Sequence, residues 1–263
     1  MKLKKKIVIV FLTFNSQKTI KKSILASLRI TKDIFVIDSF SKDKTQDICK
    51  KLGSNIISRK FKNYSDQRNW AINKFKNQYL WQLHLDADEK LDLKAINSIK
   101  SIVSSKKINK SVFLLRRKHY FLNKPLKYPG INTWHLRLFK SNHAYCENKL
   151  YDQHFVSKKE FGKIYGYLND NDKLTLKQWK LKHKRWAKFV ADEITKKIKT
   201  NNFHKNNDQI YYFLTLYFRP IIYFFYRYIL KLGFMDGKLG LLFCFYHALW
   251  FRLKVDSYIN KKK

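Results

Sequence analysis

Three cysteines in 263 residues (Cys49, Cys146 and Cys244) are too few, odd in number and too scattered for a disulfide framework. No C-x-x-C pair occurs, which argues against a thiolate zinc site and suits a reducing cytoplasm. Acids are scarce as well: 19 Asp and Glu stand against 56 Lys and Arg, a net charge of +37. Such an excess points to nucleic acid or to an anionic membrane face. The lysines are spread over nearly every segment, however, and Asn, Ile, Phe and Tyr are abundant. That pattern reads as the drift of an AT-rich coding sequence, with a membrane-facing subset of cations. Long clean apolar runs are missing too. The C-terminal candidates, 208–234 and 240–251, fall short of the ~20 apolar residues of a spanning helix, and Arg219-Pro220 breaks the first. Internal repeats and low-complexity linkers do not stand out. Apolar residues nonetheless make up 45% of the chain, enough for a sizeable core.

What is present is ordered in two parts. The start, MKLKKKIVIVFLTF, imitates a signal peptide but is followed by no small-residue cleavage site, and reads as a buried first strand. Strand-like runs then recur at 6–13, 33–38, 54–58 and 79–85, separated by helix-like stretches at 17–29, 43–52 and 65–76. Short β-branched strands alternating with helices predict a parallel sheet built from βαβ units. Segment 92–104 predicts a further helix with Asp92 as its cap, and Asp43 is the candidate cap for 43–52. Strands at 111–121 and 133–140, with Pro125 and Pro129-Gly130 between them, predict that the second half of the sheet is mixed. From about 174 the pattern becomes helical, basic and very aromatic. The expected division is an α/β domain at 1–170 and a helical, membrane-proximal extension at 171–263. Its aromatic belts with flanking Arg and Lys suit helices lying in a membrane interface; an ordinary buried helical subdomain is the alternative.

In parallel sheets ligands sit beyond the carboxyl ends of the strands. That rule gathers Thr13-Phe14-Asn15, Asp38-Ser39 and Asp86–Asp88 at one crevice. Asp86 and Asp88 close the apolar run YLWQLHL and, two residues apart, share one side of an extended chain. Paired acids there suit a hard divalent cation that holds phosphate oxygens, although a solvated strand-to-helix turn would look the same. Gln67-Arg68-Asn69, at the start of the third helix, add a cation and two amides. Arg68 could pair with a diphosphate or form a surface salt bridge.

The blocks KIVIVFLTFNSQKTIKKSILASL, DIFVIDSFSKDKTQDICKKLGSNIISRKF, SDQRNWAINK and WQLHLDADEKL, in that order, resemble those of inverting family 2 glycosyltransferases, closest to the lipopolysaccharide core β-glucosyltransferases. HLRLFKSN (135–142) is similar to that group's acceptor-side strand, and 218–242 to its membrane-proximal block. The resemblance implies a GT-A fold, Rossmann-like and binding a nucleotide-diphosphate sugar, with a divalent cation (Mg²⁺ or Mn²⁺). It implies that Asp38 contacts the base, Asp86 the ribose or a metal-bound water, and Asp88 the metal; Thr13, Asn15, Ser39, Arg68 and Asn69, placed at the crevice by their positions, are the further donor-binding candidates. Inversion needs one general base, for which the resemblance points to Asp152, with Glu147 as the fallback. Three departures fall around the site: Phe40 where many relatives have Gly, Asp152 where they have Glu, and NDND (169–172) where a histidine is expected.

The reading that follows is transfer of a hexose, glucose in the nearest group, to a lipid-linked glycan acceptor of the lipopolysaccharide-core type. It would take place on the cytoplasmic face of the inner membrane, against an anionic membrane surface. A polyprenyl-phosphate acceptor is the alternative within the fold. A nucleic-acid-binding protein is the alternative outside it, disfavoured because the lysines are diffuse and the acids at the strand ends would repel phosphate.

Overall fold

The structure, a computed structural model, describes residues 5–149, 153–200 and 217–261. The chain divides into two compact units, one formed by residues up to Tyr120 together with Thr133–Lys173, the other by Phe121–Asn132 and the chain from Leu174. The segment 121–132, carrying Pro125 and Pro129-Gly130, belongs with the helices rather than with the sheet.

The first unit begins β1 (Lys5–Thr13), α1 (Ile20–Ser27), β2 (Ile34–Asp38), α2 (Thr45–Lys51), β3 (Asn55–Ser58), α3 (Tyr64–Phe75) and β4 (Tyr79–Asp86). Every residue of β1 from Ile7 to Thr13 is buried, because helices cover both faces of the sheet. Ile7, Ile9 and Phe11 point to the side of α1, where they meet Ile20 and Ile24. Val8, Val10 and Leu12 point to the other side, against Ala71 and Phe75 of α3. Two-sided burial is why the sequence here is continuously apolar rather than alternating.

After β4 come β5 (Glu89–Leu91), α4 (Leu93–Ser104), β6 (Val112–Phe121), β7 (Lys124–Pro125), β8 (Trp134–Lys140), β9 (Tyr145–Cys146), β10 (Phe155–Val156) and β11 (Phe161–Asp170). The sheet path runs β3-β2-β1-β4-β8-β6-β11-β5. Pairing is parallel from β3 to β4, and β8 is antiparallel to both β4 and β6. The sheet is therefore mixed, as expected. β4 and β5 are joined by Ala87-Asp88 alone, yet β5 closes the far end of the path. The sheet must curl until its last strand returns to the end of β4.

Helix caps follow the sequence only in part. Asp92 accepts a hydrogen bond from the Ala95 backbone N–H at 2.8 Å, as its position predicted. Asp43 does not serve as the cap of α2, which starts later, at Thr45, with Lys44 in the capping position. Its carboxylate instead accepts from the backbone N–H groups of Thr45 and Gln17, tying the α2 start to the β1–α1 loop.

In the second unit, α5 (Leu176–Thr200) is followed by α6 (Phe218–Phe225), which widens into a π turn at Tyr226–Leu230. A 3₁₀ turn at Gly233–Asp236 leads into α7 (Gly237–Phe243), which continues through a π stretch into α8 (Phe251–Asn260). Phe121, Leu126, Ile131, Trp179 and Phe243 form its buried cluster. Arg219 and Asp256, both almost fully buried, pair with each other, so each charge is taken out of water against its opposite. No helix among the described residues is long and apolar enough to cross a membrane.

Candidate active site

The carboxyl ends of β1, β2 and β4 lie side by side: Thr13 is in register with Asp38, and Leu12 with Asp86. The strand-end residues are thus brought to one edge of the sheet. Their side chains do different work there.

Asp38 is fully buried, and its carboxylate accepts four hydrogen bonds from within the chain. The donors are Thr13 Oγ1 (2.7 Å), Ser41 N (2.8 Å), Ser41 Oγ (2.6 Å) and Gln46 Nε2 (2.8 Å). A carboxylate has about four acceptor positions, so none is left for a nucleotide base. Asp38 holds the loop; the half-buried residue beside it is Ser39, whose hydroxyl accepts from Gln67 Nε2 at 3.2 Å. Asn15 stitches the same two loops together: its N–H donates to Ser41 Oγ (2.8 Å) and its Oδ1 accepts from Lys42 N (2.9 Å). Phe40 keeps the left-handed backbone of a glycine, with φ of +59°. The turn that glycine would favour is therefore retained by a residue with a Cβ.

Asn69 does not face the crevice with a usable amide. Its Nδ2 donates to the Cys146 carbonyl and its Oδ1 accepts from the Cys146 N–H, both at 2.8 Å, clamping α3 to β9. Arg68, 6% exposed, pairs with Asp86 at 2.5 Å and lies over the Phe155 ring at 4.9 Å. It is neither the surface ion pair nor the open diphosphate ligand that its position suggested.

Asp86 meets a second guanidinium, Arg137, at 3.4 Å, and Arg137 also pairs with the buried Glu89. Glu89 in turn accepts the Asp86 backbone N–H at 2.9 Å, closing the Asp86-Ala87-Asp88-Glu89 turn. Burial alone would raise the Asp86 carboxyl; Arg68 and Arg137 override it and hold the group below the usual carboxylate range. Glu89 goes the other way: burial, with the nearby Asp86 and Asp170 charges, pushes it up to about 7 despite Arg137. His84, fully buried and stacked on Phe139, is held well below its ordinary value by burial and by the same two arginines. Its role is core packing. Arg137 and Glu89 were not singled out in the sequence. The available signal was an arginine at an inward-facing position of the strand HLRLFK.

Asp88 is half-buried on the turn, with its carbonyl accepting from the Asn171 N–H at 3.1 Å. His119 of β6 meets Asp170 of β11 at 3.1 Å, so a histidine does reach the NDND segment, though from another strand. Among the described residues no cluster of three or more His, Cys, Asp or Glu could hold a metal. Both oxygens of Asp86 already face guanidiniums, which would repel a cation, so Asp86 does not fit as a metal ligand. Asp88 fits better, since Mg²⁺ is commonly held by one or two carboxylates with substrate phosphates supplying the rest.

Glu147 follows β9, where its carboxylate accepts from His154 N (3.0 Å) and pairs with Lys149 Nζ (2.8 Å). Asp152 lies outside the described residues.

The family model for glycosyl transferase family 2 matches residues 8–158. An uncharacterized glycosyltransferase of Rickettsia bellii is 33% identical over 103 residues, covering 39% of this chain and 34% of that protein. One of Rickettsia typhi is 33% identical over 101 residues, covering 38% and 34%. The chain spans about a third of the length of these curated relatives. Among solved structures, S. aureus TarS 1-349 is similar over 99% of this chain and 92% of that one, at 12% identity and a TM-score of 0.48. Glucosyl-3-phosphoglycerate synthase from Mycobacterium tuberculosis, solved with Mn²⁺, uridine diphosphate and its product, is similar over 43% and 44%, at 14% identity and a TM-score of 0.35. The mixed, curled sheet with helices on both faces is GT-A-like, and the family match takes in most of it, from β1 to beyond β10. The chain belongs to glycosyl transferase family 2.

Proposed function

We propose that the chain transfers a hexose, glucose by the resemblance of its sequence blocks, from a nucleotide-diphosphate donor to a lipid-linked glycan, with inversion. The observation that carries this reading is the acidic turn at the end of β4. Two arginines fasten Asp86, and Asp88 stands two residues on, half-buried in the turn that Glu89 closes. Asp88 would hold a divalent cation together with the donor's diphosphate. The cation supplies Lewis-acid neutralisation of the leaving diphosphate. The residues of this chain do the rest. The Asp38 network fixes the β1 and β2 loops as one wall, and Ser39 and Asn15 present polar groups from it. Arg68 and Arg137 set the orientation of the turn before any ligand arrives, which is the kind of preorganisation that lowers a barrier.

Inversion requires one group to take the acceptor hydroxyl proton. Glu147 is engaged by Lys149 and the His154 N–H. That favours Asp152 as the base, with Glu147 in reserve.

The second unit supports a membrane partner. Phe218, Ile221, Ile222, Phe225 and Ile229 recur at helical spacing along α6 and its π turn, and all are exposed, the least of them 42%. This amphipathic face points outward instead of into a core. The nearby acids are occupied: Asp256 by Arg219, and Asp236 by the backbone N–H groups of Lys127 and Tyr128. Lys231 and Lys238 remain exposed beside the apolar surface. An apolar face rimmed by cations suits the surface of an anionic bilayer, and a lipid-linked acceptor would be met there.

The test is a panel of nucleotide sugars with Mg²⁺ or Mn²⁺, read as release of nucleoside diphosphate and as thermal stabilisation. A donor at 100 times its Kd should add about 2.7 kcal/mol to the folded state. If no nucleotide sugar stabilises the protein or turns over in the presence of lipid-linked glycan, the reading is wrong.

A further inference from the structure

A cavity of about 680 Å³ opens in the first unit between α1, β5 and the start of α4. Four of its walls' side chains are cations: Lys22 of α1, Arg29 just past the end of that helix, Lys90 of β5 and Lys94 of α4. One acid lines it, Asp92, and a carboxylate oxygen of that residue is spent on the Ala95 N–H at the head of α4. The floor is apolar, with Ala26, Leu91 and Ile96 almost fully buried, while Leu25 and Leu93 form an exposed apolar lip. A fifth cation stands nearby: Lys173, its pKa held below its ordinary value by burial and by the like charge of Lys22. Cations gathered in this way repel one another unless an anion lies between or beside them.

The cavity also adjoins the acidic turn. Ser23, next to Lys22, donates its hydroxyl to the Ala87 carbonyl at 3.0 Å. Lys90 follows Asp88 by two residues. Lys173 is tied back through its N–H to Asn171 Oδ1, and Asn171 N–H to the Asp88 carbonyl, each at 3.1 Å. A ligand in this cavity therefore lies next to the candidate reaction centre without using any of its groups.

We infer that this cavity is a subsite for a saccharide bearing phosphate or carboxylate groups, the anionic part of the glycan acceptor. The cations take the charged groups, and the apolar floor and lip take the C–H face of a sugar ring. The inference rests on the glycosyltransferase reading for the word acceptor, but the site itself can be probed without turnover.

The experiment is a titration at 0.15 M salt with glucose 6-phosphate, glucuronate, inorganic phosphate and glucose, followed by calorimetry or amide chemical shifts. Glucose 6-phosphate or glucuronate should bind, and the tighter of the two identifies the anionic group; glucose should not bind. Lys22→Gln with Lys90→Gln should weaken binding at least tenfold. Lys50→Gln with Lys51→Gln removes the same charge from exposed positions on α2 and should change binding less than twofold. Equal losses in the two double variants would show diffuse attraction to a basic protein and overturn the inference. So would inorganic phosphate competing as well as either sugar, since the apolar floor would then be idle. Nucleotide-sugar stabilisation is measured on the same variants and should be unchanged. If it is lost along with saccharide binding, the cavity is part of the donor site and the acceptor assignment falls. If the wild-type protein binds the anionic saccharide but no nucleotide sugar, the subsite stands and the donor reading is what has failed.

Discussion

Phe40 allows a test of the site's architecture that needs no substrate. Its φ of +59° is left-handed, and the residue is 56% exposed, so little burial offsets the strain. A residue with a Cβ in this region costs about 1–2 kcal/mol relative to the right-handed basin. Glycine escapes that cost but loses more chain entropy on folding, about 0.5–1 kcal/mol relative to alanine. Comparing Phe40→Gly with Phe40→Ala removes the ring, and whatever the ring touches, from both sides of the difference. At an ordinary position the alanine variant would be the more stable by about 0.5–1 kcal/mol. Here the order should invert, with glycine ahead by a similar amount once strain and entropy are set against each other. For a chain of this size that is a Tm gap of about 1–4 °C, measurable by calorimetry or by urea denaturation. An alanine variant at least as stable as the glycine variant would mean that the chain after Asp38 does not follow the left-handed turn. The wall formed by Asp38, Ser39 and Ser41 would then have to be redrawn.

Asp88→Asn should lower metal-dependent turnover by at least 100-fold while the protein stays folded by circular dichroism; a wild-type rate would remove its metal role. Asp152→Asn should cut kcat with little change in donor affinity, and if Glu147→Gln does so instead, the base is Glu147. Glu89, raised from 4.5 to about 7 by burial, binds its proton more tightly folded than unfolded. Its contribution is therefore fully present below about pH 4.5, declines as pH rises to about 7 and levels off above, by an amount on the order of 3 kcal/mol. Glu89→Gln should flatten that decline between pH 5 and 8, and an unaltered slope would show that another group carries it. Ile222→Glu with Phe225→Glu should abolish flotation with vesicles containing anionic lipid while leaving the helical circular dichroism intact; undiminished flotation would move the membrane contact elsewhere.

The regular parts of the fold were legible because their signal is local. Buried β1 had to be continuously apolar, and Asp92 sits where a cap belongs, directly before a helix of period 3.6. The strand-end rule likewise brought Thr13, Asp38 and Asp86 to one edge. What the sequence could not show was which polar group each side chain would meet. Asp38 reads as an available acid until Thr13, Ser41 and Gln46 are seen to fill its lone pairs. Asn69 reads as a ligand until Cys146, 77 residues away, takes both ends of its amide. Arg137 is separated from Asp86 and Glu89 by about fifty positions, and nothing local marks a strand arginine as a partner of a distant turn. Segment 121–132 looked like a turn within the sheet because its prolines and glycine are turn formers. Its apolar residues Phe121, Leu126 and Ile131 decide otherwise by packing with the helices.

The two aspartates of the turn therefore should not be treated as a pair. A carboxylate flanked by two guanidiniums is already neutralised, and its replacement would leave the buried Arg68 without its carboxylate and Arg137 with Glu89 alone, a loss that can reach about 3–5 kcal/mol. Asp86→Asn should accordingly register first as a loss of stability, with activity falling because the turn loses its anchor. Asp88→Asn should register first as a loss of activity. Arg137 separates the cases further, since it serves Asp86 and Glu89 together: Arg137→Met should reproduce the Asp86→Asn loss of stability, and leave the Asp88→Asn phenotype to the cation site. If Asp86→Asn and Asp88→Asn gave the same phenotype, the arginines would not divide the turn in the way their distances indicate.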